Sequence, residues 1–364
     1  MPCSPPGSDD GGDPCVLAMT LTAITDVILD EDTSPNRLRC ALEEFARLCA
    51  DISHIQPDPS FDAWADDSLL DEGVAINPRA AAHCVMDYRR SAVFIRGVHA
   101  AILTARERFP DTAIEILYAG CGPFATLMLP LLGRFAPSEL SLTLLDYHQS
   151  SLDSVKLLLD RFELAEHRIT FVRDNACHYT HAGKPQVIIA ETMQKSLEQE
   201  PQFAITANLA PQLCPNGIFI PEEIEVALCL AQLEQESALF ERTGTVDSKT
   251  LVAEDRRYPL ATLCTLSPDL AYKEMASAKY NAATKKVELQ PTVVRIPSFQ
   301  ELQQFAALLF TRIRVYEQYR LLDYESEITL PLECRDMMRL RGGDQYEVSY
   351  QLGSYPRFNF VRCT

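Results

Sequence analysis

The segment Ile114-Glu-Ile-Leu-Tyr-Ala-Gly-Cys-Gly-Pro-Phe124 decides the fold of this chain, because it joins a short apolar strand to a glycine turn. Gly120 and Gly122 let the backbone turn sharply and approach a ligand without interference from a Cβ atom. A helix predicted over residues 127–135 follows, and its N-terminus favours an anionic group beside the turn. A strand, a glycine turn and a helix in this order indicate the first unit of a parallel sheet.

The strand and helix pattern continues on the C-terminal side of this segment. Strands predicted at residues 142–145, 169–172 and 187–190 are accompanied by a helix predicted at residues 152–162. Strands alternating with helices imply a parallel sheet with right-handed crossovers. We therefore predict an α/β fold with a Rossmann-like, doubly wound parallel sheet in residues 111–221.

The remainder of the chain divides into three regions. Residues 1–14 are rich in Pro, Gly and Asp and predict a disordered tail. Residues 15–110 show apolar side chains at helical spacing and predict an N-terminal helical lid. Residues 222–364 predict a β-barrel-like domain, with strands at 224–230, 292–296, 309–316, 326–330, 346–352 and 358–361 and a helix at 298–308.

Composition narrows the class of protein. The 364 residues are 47% hydrophobic and 23% charged, which is ordinary for a globular chain. A net charge of −18 disfavours nucleic acid and suits a cationic substrate, although an acidic surface also serves solubility. The apolar stretch at residues 15–24 is too short for a membrane span and lacks a basic flank, so we expect no membrane partner.

Cysteine usage bears on the compartment and on metal binding. The twelve cysteines are scattered, and none forms a CxxC pair. Such scattering in a chain of this length predicts reduced thiols and a cytoplasmic location. It also argues against a zinc site, because no compact ligand spacing exists.

Acidic and amide side chains follow successive predicted strands. Asp146 ends the second strand, 26 residues after Gly120, where an acidic residue commonly accepts hydrogen bonds from ribose hydroxyls. Asp174 and Asn175 end the third strand, where adenine contacts lie in folds of this kind. Because ligands bind at the carboxyl edge of such sheets, we predict that one cofactor contacts Gly120, Gly122, Asp146, Asp174 and Asn175.

The glycine segment also indicates the kind of cofactor. A nicotinamide dinucleotide site requires G-x-G-x-x-G, and Ala125 occupies the third glycine position here, which that fingerprint tolerates only as a variant. With Pro123 before it, the segment resembles the first motif of class I methyltransferases, whose cofactor, S-adenosyl-L-methionine, has no phosphate to bind. Tyr118 stands where that motif usually carries an acidic residue, which is a departure from the family pattern.

The ten residues Glu191-Thr-Met-Gln-Lys-Ser-Leu-Glu-Gln-Glu200 place two glutamates nine positions apart. This segment resembles the double-glutamate loop of protein arginine methyltransferases, which also carries a methionine and a leucine at the positions of Met193 and Leu197. The resemblance implies that Glu191 and Glu200 are the catalytic pair that holds a guanidinium group, and that Met193 contacts the substrate. Glu198 lies between them as a third acid.

Two further segments match the same family. Asp87-Tyr-Arg-Arg-Ser-Ala-Val-Phe94 is similar to its D-x-x-R-x-x-x-aromatic helix, which implies that Arg90 holds the methionyl carboxylate of the cofactor. Leu213-Cys-Pro-Asn-Gly-Ile-Phe-Ile-Pro221 is similar to the Pro-x-Gly turn and strand that follow the loop. The resemblance covers about residues 80–230 well, and the Gly-Pro in the first motif is closest to the symmetric-dimethylating branch.

Two departures from the family concern the substrate. All seven histidines lie at or before His181 and the only tryptophan is Trp64, so the family's Thr-His-Trp loop in the C-terminal domain cannot exist here. Residues 355–360 are candidates to fill that space. Thr192 follows the first glutamate in place of a large apolar residue, which provides a smaller, more polar wall.

We therefore predict an S-adenosylmethionine-dependent guanidino N-methyltransferase that acts on arginine. Free L-arginine or a small guanidine metabolite is favoured over an arginine-containing protein as its substrate. Methylation of another small metabolite is an alternative, and a methyltransferase-like scaffold that binds a partner without catalysis is another. The family resemblance further implies a homodimer.

Overall fold

A computed structural model describes residues 19–60, 67–236, 257–282 and 285–363. The tail predicted at residues 1–14 lies outside the described residues, and so does Trp64. In the described part of the chain, no helix is both long enough and apolar enough to cross a bilayer.

The described part of the N-terminal region contains four α-helices. Each begins after a residue whose side chain accepts a backbone N–H of the first turn, and these N-caps are Thr20, Ser34, Asn77 and Asp87. The helices are α1 (Leu21–Leu29), α2 (Pro35–Ser53), α3 (Pro78–His83) and α4 (Tyr88–Arg108).

The N-terminal region, predicted to be mainly helical, also contains a short hairpin between α2 and α3. Strands β1 (Ser68–Leu69) and β2 (Val74–Ala75) pair there as an antiparallel hairpin. Its turn contains Asp71 and Gly73, residues that favour turns over helix. Two-residue strands are too short to show an alternating pattern, so the helical periodicity of the flanking segments concealed them.

The central sheet has five parallel strands in the order β5-β4-β3-β6-β7. They are β3 (Ile114–Ala119), β4 (Leu140–Asp146), β5 (Arg168–Arg173), β6 (Val187–Ala190) and β7 (Ile218–Ile220). The chain runs outward from β3 to β5 and then returns to the other side of β3. This order confirms the doubly wound α/β prediction and places the topological switch point, where such sheets bind ligands, at the carboxyl end of β3.

Three helices belong to this sheet: α5 (Leu129–Leu132), α6 (Gln149–Arg161) and α7 (Gln202–Leu209). The first is much shorter than the helix predicted over residues 127–135. Ala125 adopts a left-handed conformation before it, with φ at 43°. Pro130 is tolerated because it lies in the first turn, and Gly133 ends the helix.

The described part of the C-terminal region contains two antiparallel sheets and the helix α8 (Pro268–Ser277). One sheet contains β8 (Glu223–Ala231), β9 (Tyr258–Leu266), β13 (Ala306–Tyr316), β14 (Tyr319–Leu321) and β15 (Leu332–Glu333). The other contains β10 (Lys279–Asn281), β11 (Lys286–Glu288), β12 (Thr292–Arg295), β16 (Gln345–Leu352) and β17 (Arg357–Arg362).

Two predictions for this region are wrong. The strand predicted at residues 326–330 is a short 3-10 turn, Glu327–Thr329, because the Ser326 side chain caps it in place of strand pairing. The helix predicted at residues 298–308 is a 3-10 turn, Leu302–Gln304, followed by β13. A short apolar run such as residues 305–310 fits a buried strand and a buried helix equally well, so periodicity could not separate them.

The helices, the central sheet and both C-terminal sheets share one large hydrophobic cluster. Its members include Phe45 of α2, Phe94 of α4, Ile116 of β3, Val226 of β8 and Val348 of β16. Nine cysteines of the described part have free thiols, and Cys40 is disulfide-bonded, which corrects the expectation of reduced thiols at that residue.

Candidate active site

A pocket opens at the carboxyl ends of β3, β4, β5 and β6. Its empty volume is about 1050 Å³ with the open mouth included. Eight of the residues singled out from the sequence line it: Arg90, Gly120, Gly122, Asp146, Asp174, Asn175, Glu191 and Glu200. Met193 is not among the lining residues and lies in the core, where it is 1% exposed.

The glycine turn is tightly packed against the residue that follows Glu191. Gly120 has a φ of 69°, a left-handed conformation, and its N–H donates to the Leu145 carbonyl at 2.8 Å. A Cβ atom at this glycine would lie 2.3 Å from Thr192 Cγ2. Both the backbone conformation and the neighbour therefore require glycine here.

Replacing Gly120 with alanine is expected to abolish ligand binding in the pocket and to lower the free energy of unfolding by about 1–3 kcal/mol. Calorimetry with S-adenosylhomocysteine and thermal unfolding measure the two effects. Adding Thr192→Ser should restore part of the stability, because it removes the clashing Cγ2. Gly133→Ala is the matched control, since nothing lies within 4 Å of its added Cβ. Equal effects of the two alanines would contradict the expectation.

Asp146 at the end of β4 supports the turn as well as lining the pocket. Its Oδ2 accepts the Gly122 N–H at 2.8 Å and its Oδ1 accepts the His148 N–H at 2.9 Å. The residue is only 7% exposed. Each carboxylate oxygen has more than one acceptor site, so this carboxylate retains the capacity to accept a ligand hydroxyl.

The residues after β5 are largely occupied by hydrogen bonds within the protein. Asp174 Oδ1 accepts the Asn175 N–H at 2.7 Å, and Asn175 Oδ1 accepts the Cys177 N–H at 2.9 Å. The Asn175 Nδ2 group donates to Glu72 Oε2, in the β1–β2 hairpin, at 3.2 Å. The amide of Asn175 is thus fixed in one orientation beside the pocket.

Arg90 and Glu191 form an ion pair between Arg90 Nη2 and Glu191 Oε1. Their side chains are 12% and 11% exposed, so the pair is nearly buried. Asp87 places Arg90 in the first turn of α4, because its Oδ1 accepts the Arg90 N–H at 3.2 Å. Its Oδ2 accepts the Ser326 hydroxyl at 2.5 Å, which joins this turn to the C-terminal region.

Glu200 is the second carboxylate of the pocket and is 7% exposed. Burial raises the pKa of Glu200 to about 8, and the negative charge of Glu191 adds to this effect while Arg90 opposes it. The site therefore combines Glu191, paired with Arg90, and a Glu200 that is largely protonated near neutral pH. This arrangement favours the binding of a cation, because a positive charge beside Glu200 would stabilise its ionised form.

The loop between the two glutamates has an unusual backbone. Ser196, Leu197 and Gln199 are all left-handed, with φ values of 58°, 56° and 64°, and such residues cost of order 1–3 kcal/mol each. They persist only where surrounding contacts determine their conformation. The loop must therefore be held from outside.

The C-terminal region supplies those contacts. The Ser196 N–H donates to Thr311 Oγ1 at 2.8 Å, and the Tyr350 hydroxyl donates to the Leu197 carbonyl at 2.6 Å. The Gln199 N–H donates to the Pro356 carbonyl at 2.9 Å. Pro356 lies within residues 355–360, so part of that segment contacts the double-glutamate loop.

Gln202 fixes the start of the loop and was not identified from the sequence. It is fully buried, and its Oε1 accepts the Thr192 N–H at 2.8 Å. Its Nε2 donates to the Ala190 carbonyl at 2.9 Å and to Thr206 Oγ1 at 3.2 Å. The available signal was a glutamine at the first position of α7, whose other residues are mostly apolar.

Three more residues of the pocket were not predicted as site residues from the sequence. One of them, Tyr118, was noted there only as a departure from the family motif. Cys84, Tyr118 and His148 all line the pocket. Burial raises the pKa of the Cys84 thiol to about 11, so this thiol is neutral. Tyr118 is 4% exposed, and burial raises its pKa as well. An uncharged phenol therefore stands where the motif usually has an acid.

No family model and no curated protein matches this sequence. The structure is similar to a chain of the Trypanosoma brucei PRMT1 enzyme–prozyme heterotetrameric complex with AdoHcy, at 12% identity and a TM-score of 0.45, over 80% of this chain and 99% of that one. It is also similar to Arabidopsis thaliana protein arginine methyltransferase 10, at 12% identity and a TM-score of 0.41, over 71% and 84% of the two chains. Likeness at this level concerns the fold, and the roles of individual residues rest on the geometry above.

Proposed function

We propose that the chain is an S-adenosylmethionine-dependent N-methyltransferase of guanidine groups, with arginine as the type of substrate. The observation that carries the proposal is the convergence of Glu191 and Glu200, two buried carboxylates, on the pocket formed by the glycine turn of β3. A cation is the ligand that this pair of acids favours. The glycine turn and Asp146 beside it suit a nucleoside.

A guanidinium explains why two carboxylates are needed. Its lone pairs are delocalised and its pKa is above about 12, so it is a poor nucleophile. Two carboxylates can hold its nitrogens in charge-assisted hydrogen bonds and concentrate the positive charge on the nitrogens that they contact. The remaining nitrogen then carries more electron density, and its fixed position supplies up to about 7–11 kcal/mol in favourable cases.

Glu191 can take part in this arrangement while it stays paired with Arg90. The pair uses Glu191 Oε1 and leaves Oε2 for a second donor. Arg90 orients the Glu191 side chain before the substrate arrives. Glu200, the more basic acid, is the better acceptor for the proton that a methylated nitrogen releases.

The pocket also has groups that fit the cofactor. S-adenosyl-L-methionine supplies an electrophilic methyl group on a sulfonium when it is bound. Gly120 and Gly122 allow close backbone approach, and Asp146 retains acceptor capacity for ribose hydroxyls. Arg90 is the pocket cation placed to hold a carboxylate, and Asn175 lies at the third strand end, where an adenine would bind.

Within this proposal, free L-arginine or another small guanidine is the favoured substrate. The supporting observation is the β1–β2 hairpin, because Leu70, Val74 and Ala75 line the pocket and narrow the space for a large substrate. Thr192 contributes a small polar wall. An arginine side chain of a protein fits the same pair of carboxylates and is the second candidate.

Turnover with purified protein tests the proposal. Incubation with S-adenosylmethionine and free arginine, followed by mass spectrometry, should yield arginine that is heavier by one methyl group. An arginine-containing peptide, assayed in parallel, ranks the two substrates by kcat/KM. Tight binding of S-adenosylhomocysteine without any arginine turnover would favour another metabolite. Absence of binding would favour the non-catalytic scaffold.

A further inference from the structure

The hairpin of residues 68–75, named here the cover hairpin, forms part of the wall of the pocket. Its two strands pair through Ser68 with Ala75 and Leu69 with Val74. Leu70, Val74 and Ala75 contribute to the pocket wall. A nucleoside-sized ligand that contacts the residues at the ends of β4 and β5 would therefore also lie against this hairpin.

Glu72, at the turn of the cover hairpin, bonds to the opposite wall of the pocket. Its Oε2 accepts the Asn175 Nδ2 donor at 3.2 Å, and its Oε1 lies 2.8 Å from His178 Nε2. Both carboxylate oxygens are thus engaged with the segment after β5. The Glu72 side chain is 21% exposed, whereas that of His178 is 67% exposed, so the carboxylate is the better shielded partner.

Strand β2 of the cover hairpin contacts the double-glutamate loop. The Val74 N–H donates to the Gln199 carbonyl at 2.8 Å. A Cβ atom at Gly73 would lie 2.8 Å from Pro201 N and 2.9 Å from the Gln199 carbonyl oxygen. This close packing is possible only with glycine, and it joins the hairpin to the residues on both sides of Glu200.

A third contact reaches the loop after β4. Ser68 Oγ lies 3.2 Å from His148 Nε2, and His148 Nδ1 lies 3.7 Å from Asp146 Oδ1. The cover hairpin thus touches the segments that follow β4 and β5 and the double-glutamate loop. Among the described residues of the hairpin, only Glu72 makes such a contact with a charged side chain. Its carboxylate accepts two hydrogen bonds.

We propose that Glu72 is a positioning residue for the cofactor: its bonds to Asn175 and His178 hold the cover hairpin closed over the pocket and orient the Asn175 amide. The bound cofactor then leaves only after these bonds break. The same closure keeps Val74 bonded to Gln199, so cofactor retention and the position of the double-glutamate loop are coupled. This inference rests on the proposed function for the identity of the ligand.

The test compares Glu72→Ala with Asp71→Asn, a matched control on the same turn. Asp71 is exposed, and Asp71→Asn likewise removes one carboxylate charge. Glu72→Ala should accelerate dissociation of S-adenosylhomocysteine about ten- to hundredfold, the range for lost hydrogen bonds to a charged group. It should raise the KM for S-adenosylmethionine in proportion. Glu72→Gln keeps one acceptor oxygen, so its dissociation rate and its KM should lie between those of Glu72→Ala and Asp71→Asn.

A double variant and a ligand-free measurement complete the design. Glu72→Ala combined with His178→Ala should dissociate no faster than Glu72→Ala alone, because the two groups act through one contact. Amide hydrogen exchange at Val74 should be faster in Glu72→Ala and unchanged in Asp71→Asn. Unchanged exchange at Val74 would overturn the role of Glu72 whatever the activity. Faster exchange in a protein that does not bind S-adenosylhomocysteine would overturn the proposed function and retain the closure by Glu72.

Discussion

Glu191→Gln and Glu200→Gln are each expected to lower the rate of methyl transfer at least about a hundredfold while S-adenosylhomocysteine still binds. Glutamine has nearly the same shape but only one acceptor oxygen and no charge, so the guanidinium loses a charge-assisted hydrogen bond. In Glu191→Gln, the amide oxygen can still accept from Arg90, which preserves the wall of the pocket. Mass spectrometry of methylated arginine measures the rate, and titration calorimetry measures binding.

Glu198→Gln is the matched control for this pair of variants. Glu198 lies in the same loop and is partly buried, but it does not line the pocket. Burial raises the pKa of Glu198, and the charges of Arg357 and Lys195 oppose this effect only in part. Its replacement should leave the rate near that of the unmodified protein. Full activity in both Glu191→Gln and Glu200→Gln would show that the two carboxylates do not hold the reacting group.

The features that the sequence predicted well are local ones. The run from Ile114 to Ala119 is mostly apolar and is followed directly by Gly120, so the strand and the turn are both evident from one short stretch of sequence. Asp146 and Glu191 follow similar runs, and parallel strands bring their carboxyl ends to one edge. These rules place both residues in the same pocket without any knowledge of long-range contacts.

The features that escaped prediction depend on contacts between distant segments. Thr311 and Tyr350 hold the left-handed residues of the double-glutamate loop from more than a hundred positions away. The amino-acid sequence of the loop does not indicate these partners. Met193 shows the converse limit, because its place in a motif predicted a contact with the substrate, whereas the packing of the loop turns it into the core. A motif specifies the spacing of residues along the chain, whereas the surrounding fold determines which way each side chain points.

The same long-range contacts bear on the absent Thr-His-Trp loop. In this chain the β16–β17 hairpin lies beside the double-glutamate loop. The Tyr350 ring is tilted against that of Phe203 at a centroid distance of 5.6 Å and meets that of Phe358 edge to face at 5.1 Å. These rings and the Pro356 carbonyl supply shape and hydrogen bonds but no titratable base. A proton acceptor must then come from the pocket itself, which directs attention to Glu200.

The affinity for a guanidine substrate is expected to rise about tenfold per pH unit between pH 6 and 8 and to level off above about pH 8. The pKa of Glu200 is about 8 because burial and the charge of Glu191 favour its protonated form. A bound guanidinium favours the ionised form, so binding below this pH must release a proton. Titration calorimetry in buffers of different ionisation enthalpy measures both the affinity and the number of protons released.

Glu200→Gln supplies the control for this pH dependence, because glutamine cannot ionise. Its weaker binding should be nearly independent of pH between 6 and 8, with no proton release. Stability should change in the opposite sense: a carboxyl whose pKa is raised from 4.5 to about 8 by folding loses stabilisation as pH rises through that window. The melting temperature of Glu200→Gln relative to the unmodified protein should therefore be higher at pH 9 than at pH 5. Parallel melting curves at the two pH values, together with a pH-independent affinity in the unmodified protein, would show that Glu200 is ionised before the substrate arrives.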